Sequence, residues 1–125
     1  MISLILIFFA GVFNAVMDTL KDHYDKSIFS KNTNTTWIKY SNPAKSAGNK
    51  WKNGDYKQGE KFFGSSTCFV ALTDLWHLVK AIMLVLICMS IVLYIPIFSI
   101  YIDWMIYLLT FTITFEICYS KLLIK

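Results

Sequence analysis

Ionisable side chains set into apolar stretches are costly to bury, so Asp18, Asp74, His77, Lys80 and Glu116 are the residues that invite a chemical reading. Each lies inside or at the end of a long apolar run. At about 1.5 Å of rise per helical residue, Lys80 stands about 27 Å from Phe98, Glu116 about 22 Å from Tyr101 and Asp18 about 24 Å from Ile2. The three share one depth. Asp74 and His77 precede Lys80 at i, i+3, i+6 spacing, within about 120° of one helix side. Asp18, Asp74, His77 and Glu116 together would offer three carboxylates and an imidazole. Such a set suits a catalytic acid and base, or the ligation of zinc, manganese or iron with a metal-activated water. Beside lipid headgroups, the substrate of such a hydrolase would be a lipid-like ester or phosphoester. The structural alternative is an intramembrane ion pair between Lys80 and Glu116, an Asp74 that caps or pairs with His77, and an Asp18 that ends the first helix.

The elements that must carry these groups follow from composition. Of 125 residues, 56% are hydrophobic and 16% charged, and mean hydropathy is +0.52, against about 45–50% and about 25% in soluble domains. An integral membrane protein is expected. Three cysteines exclude a disulfide scaffold, and the absence of arginine removes bidentate recognition of phosphate or base edges, so no nucleic-acid partner is expected. The fold class is an all-α membrane protein with three transmembrane helices, at about residues 1–20, 77–98 and 102–121, around a polar basic segment at 21–66. Pro96, Ser99 and Asp103 place a turn between the second and third spans, with Tyr94, Tyr101, Trp104 and Tyr107 clustered at one membrane face. The first span lacks the basic flank and small cleavage residues of a signal peptide, so it is expected to be retained.

Nine of the twelve lysines fall between Asp18 and Ser66. The positive-inside rule then predicts a cytoplasmic segment in a bacterial inner membrane, with the N-terminus outside and the C-terminus inside. The first helix is expected to run on past Asp18, supported by Lys21 with Asp25 and Asp22 with Lys26 at i,i+4. From Ser30 the pattern is mostly irregular, with turns at Asn42-Pro43 and Asn53-Gly54-Asp55. Gly64-Ser65-Ser66-Thr67 reads as the entry into the second span, with a hydroxyl N-cap. Trp37, Trp51, Tyr56, Phe62 and Phe63 are threaded through this segment among lysines such as Lys52. Aromatic rings beside lysines match the headgroup zone of an anionic leaflet.

Four stretches carry a likeness: Asn14-Ala15-Val16-Met17-Asp18, Trp51-Lys52-Asn53, Lys61-Phe62-Phe63-Gly64-Ser65-Ser66-Thr67 and Thr73-Asp74-Leu75-Trp76-His77-Leu78-Val79-Lys80. They resemble a family of small bacterial and phage-encoded membrane proteins of uncharacterised activity, which implies no role for any of these positions. The topology alone is similar to that of class I phage holins, from which the long aromatic segment departs. The leading expectation is an interaction or structural component at the inner leaflet, in contact with membrane lipids and anionic headgroups, with a protein partner or a homo-oligomer as a further option. The membrane-embedded hydrolase comes second and a holin-like pore third.

Overall fold

A computed structural model describes residues 1–124 of the chain. The described residues are all-helical, without strands, and three helices are long and apolar enough to cross a membrane. Helix α1 spans Ile2–Asp22. Two short helices, α2 (Thr35–Ser41) and α3 (Pro43–Ser46), lie in the polar segment. Helix α4 spans Leu75–Val92 and α5 spans Ile100–Ile117, continued by a π-helical turn at Cys118–Leu123.

In lipid, helices this apolar would gain little from hiding hydrophobic surface from one another, and close backbone approach would have to hold them together. Helix α1 is built for this. Its buried face carries Ser3, Ala10, Gly11, Ala15 and Thr19, small residues on one stripe. Both α4 and α5 pack on α1, and they touch one another far less than either touches it. At Gly11 the contact is closest: a Cβ there would stand 2.8 Å from the Phe111 carbonyl oxygen and 3.1 Å from Thr114 Cβ. At the far end Ser3 Oγ and Tyr107 Oη are 2.5 Å apart.

The turn between α4 and α5 falls where proline and polar residues predict it, although α4 ends at Val92 rather than near residue 98. Asp103, 1% exposed, organises this turn. One carboxylate oxygen accepts from Tyr94 Oη and Ile97 N, both at 2.8 Å, and the other accepts from Phe98 N at 3.1 Å. Ser99 N-caps α5. Of the expected aromatic cluster, Tyr94 and Tyr107 meet edge to face at 6.0 Å, and Trp104 lines the same apolar groove, while Tyr101 points outward.

The segment from His23 to Asp74 is more ordered than its irregular pattern predicts. It folds as a cap over one end of the bundle, built of single helical turns that side chains start. Ser27 caps the turn at Ile28–Lys31, Asn34 caps α2, Asn42 caps α3 with Pro43 in its first turn, and Asp55 caps Tyr56–Gln58. Each cap satisfies amides that a short helix leaves open. Asn53 and Gly54, both at positive φ, make the turn that lets Trp51 pair with Glu60. Ser27 pairs with Ile124 and so ties the cap to the end of the third membrane-length helix.

Two local expectations are corrected. Helix α1 stops at Asp22, so Asp25 lies in a 3₁₀ turn and the Lys21–Asp25 and Asp22–Lys26 pairs do not form. Gly64–Thr67 is not the start of the second span, because the side chain of Glu60 claims its amides: Gly64 N donates at 2.9 Å and Ser66 N at 3.1 Å, and the Ser66 hydroxyl also donates to it. These bonds hold the Glu60 carboxyl below its ordinary range, the Ser66 hydroxyl contributing most.

Candidate functional site

Helix α4 starts at Asp74, eight residues later than Ser66, and this residue centres the candidate site. Asp74 Oδ1 accepts from His77 N at 2.9 Å, which is the N-cap bond. The same carboxylate faces the His77 ring, with Nδ1 at 2.8 Å from Oδ1 and 2.7 Å from Oδ2. Thr73 Oγ1 stands 3.1 Å from Oδ2 and 2.8 Å from the Val70 carbonyl, sharing its hydrogen between them. Asp74 is 4% exposed. A carboxylate fixed on both sides orients the imidazole through Nδ1 and leaves Nε2 without a hydrogen bond among the described residues.

The cap supplies the opposite wall. Asn49 Nδ2 donates to the Lys39 and Thr73 carbonyls, both at 2.9 Å, and so joins α2 to the start of α4. The carbonyl of the next residue, Lys50, accepts from Lys61 N at 2.9 Å and from the buried Ser65 Oγ at 2.7 Å. The Lys50 backbone is therefore held by two hydrogen bonds to its carbonyl. Together with Lys21 from the last turn of α1, Lys50 lines a cleft of about 200 Å³ with Asp74, Trp76 and His77. The Trp76 ring meets His77 edge to face at 4.7 Å, and Lys80 Nζ lies 5.0 Å over its centroid. Trp76 Nε1 is buried without a hydrogen-bond partner. Nearby, burial first and the Asp74 charge second push the Tyr40 phenol above its ordinary range.

The expected inner-depth constellation separates. Among the described residues the salt bridge is His77–Asp74, and no Lys80–Glu116 ion pair forms. Lys80 turns to Trp76 and Glu116 is exposed on α5. The reason is topological: α4 and α5 each pack on α1, so matching depth does not bring their side chains together. Nor do Asp18, Asp74, His77 and Glu116 gather as metal ligands; among the described residues no three His, Cys, Asp or Glu side chains are placed to hold an ion. Asp74 and His77 are joined, and Asp18 and Glu116 stand apart from them.

The lipid-facing candidates divide as well. Phe63 is 86% exposed, and Lys52, Tyr56 and Phe62 are also exposed. Trp37 and Trp51 are half-buried in the cap. Trp51 borders a shallow groove of about 500 Å³ whose basic wall is Lys39, Lys45 and Lys61. Lys21 and Lys50 were missed from sequence as site residues because nothing in their local pattern distinguishes them from the other lysines. All three cysteines are free thiols.

The chain matches no protein family model, no curated protein and no solved structure.

Proposed function

We propose that the chain is an integral protein of a bacterial inner membrane, N-terminus outside and C-terminus inside, whose cytoplasmic cap engages anionic lipid headgroups as an interaction or structural component. The observation that carries this reading is the groove walled by Lys39, Lys45 and Lys61 beside Trp51, on the cap that also exposes Tyr56, Phe62 and Phe63. Lysines near an anionic leaflet gain about 1 kcal/mol each, and aromatic rings favour the headgroup zone. A cap folded across one end of the bundle argues for contact with a surface more than for a pore. The Asp74–His77 geometry keeps an acid/base hydrolase as the second reading, because it presents an oriented imidazole with a free Nε2.

The test is reconstitution into phosphatidylcholine vesicles with and without phosphatidylglycerol. Replacing Lys39, Lys45 and Lys61 together by glutamine is expected to abolish a preference for the anionic lipid. An unchanged preference in that triple variant would assign the contact elsewhere and remove this reading.

A further inference from the structure

Lys80 on α4 and Glu116 on α5 are opposite charges set in membrane-length helices, and among the described residues neither has an ion-pair partner. Both residues are exposed. Lys80 Nζ lies 5.0 Å over the Trp76 ring, and Asp74, the carboxylate at the start of the same helix, is already taken by His77 and Thr73. On α5 the hydroxyls that share a stripe with Glu116 are spent on backbone: Thr112 Oγ1 donates to the Leu108 carbonyl at 2.9 Å and Ser120 Oγ to the Glu116 carbonyl at 2.6 Å. Helical turns continue beyond Glu116 to Leu123, about 10 Å further, so its short side chain does not reach the helix end. The Tyr94–Asp103 hydrogen bond ties α4 to α5 at their turn, and at about 1.5 Å per residue Lys80 stands about 21 Å and Glu116 about 20 Å from it. The two charges are level. They stay apart within the chain because each helix packs on α1.

We propose that the chain associates with a second copy of itself, α4 of one against α5 of the other, so that Lys80 of one copy pairs with Glu116 of the next. Ionisable groups in a span are costly unless paired, and here one chain carries both halves of a pair at one depth on separate outward faces. A copy of the same chain supplies the missing partner for each, which makes the surface self-complementary. Around the charges the two faces are apolar, with Leu84 and Val85 exposed on α4 and Leu109 and Ile113 on α5. Such side chains gain little from meeting one another in lipid, so the ion pair supplies the directed part of the contact and fixes its register. The inference rests on α4 and α5 crossing a membrane, and it is independent of the cap's contact with headgroups.

The experiment uses the full chain in phosphatidylcholine vesicles, with Cys88 and Cys118 replaced by alanine and the exposed Cys68 carrying a donor dye in one pool and an acceptor in the other. Energy transfer across a series of protein-to-lipid ratios reads association. Lys80→Glu alone and Glu116→Lys alone are each expected to weaken it about tenfold or more, because each sets like charges against one another. An equimolar mixture of those two variants is expected to associate about as well as wild type, since contacts between them again set a cation against a carboxylate. Only a pair between chains is restored by mixing. Glu116→Gln, which keeps the shape of the side chain, is expected to weaken association by a smaller factor, and Lys57→Glu on the exposed cap is expected to change nothing. Wild type without transfer above that of random crowding, single variants that associate as wild type does, or a mixture no better than its components would each overturn the proposal. Wild type that resists alkaline carbonate extraction yet shows no transfer loses the second copy and keeps the membrane reading, so the two failures are separable.

Discussion

Replacing Asp74 by alanine removes two interactions at once, and their sizes follow from the geometry. The N-cap bond to His77 N, at 2.9 Å, is worth about 1 kcal/mol. The paired contacts to His77 Nδ1 at 2.8 and 2.7 Å add about 1–2 kcal/mol, because the ring loses its acceptor on the buried side while the residue stays 26% exposed and regains part of that from water. The expected loss is therefore about 2–3 kcal/mol. Asp74→Asn keeps one acceptor oxygen for the cap bond and should cost about half as much. His77→Ala leaves the cap intact, so a double-mutant cycle between positions 74 and 77 should return a coupling of about 1–2 kcal/mol. Equilibrium unfolding in mixed micelles of rising dodecyl sulfate content, followed by tryptophan fluorescence, measures each value. An Asp74→Ala variant within about 0.5 kcal/mol of wild type, the range of ordinary surface substitutions, would refute the assignment of Asp74 as the residue that starts α4 and orients His77.

Gly11→Ala drives a methyl group into the Phe111 carbonyl oxygen and is expected to cost about 1–3 kcal/mol in the same assay. Asp103→Ala frees Tyr94 Oη and the amides of Ile97 and Phe98, and should raise amide exchange through residues 93–99 while leaving α1 protected. The Glu60 carboxyl, depressed by its bonds to Ser66 and Gly64, contributes stability that is present above the ordinary carboxylate range and is lost as pH falls through its lowered value. Limited proteolysis of the cap at residues 60–66 should thus accelerate in acid for wild type, whereas Glu60→Ala should be cut readily at neutral pH and show little further change. Cys68 is exposed on the cap, and the proposed cytoplasmic orientation predicts that a membrane-impermeant maleimide labels it in inverted vesicles and spares it in intact spheroplasts.

Much of this architecture is legible in sequence because its signals are local. Runs of apolar residues mark three membrane-length helices, and Pro96, Ser99 and Asp103 mark the turn, since each acts within a few residues of its position. The individual starts in the cap are legible too, Asn42-Pro43 among them, but sequence does not reveal that several one-turn helices add up to a folded unit. Their ties are long-range: Asn49 to Lys39 and Thr73, Lys50 to Ser65, Ser27 to Ile124. The misplaced start of α4 has a specific cause. Gly64–Thr67 has the residue types of a helix entry, yet the Glu60 side chain binds those amides from upstream. Lys80 and Glu116 show the limit of depth counting. Rise per residue fixes height, whereas rotation depends on which helix each span packs against, and here both choose α1.

The most direct test of the cap's engagement with anionic headgroups is electron paramagnetic resonance of spin-labelled lipids around the reconstituted protein. The motionally restricted fraction of labelled phosphatidylglycerol is compared with that of labelled phosphatidylcholine at low and high salt. A basic cap on the lipid surface should retain the anionic lipid several-fold more strongly at low salt, with the excess falling as the Debye length shrinks from about 10 Å at 0.1 M to about 3 Å at 1 M. Equal restriction of the two lipids at low salt would contradict a headgroup-binding cap.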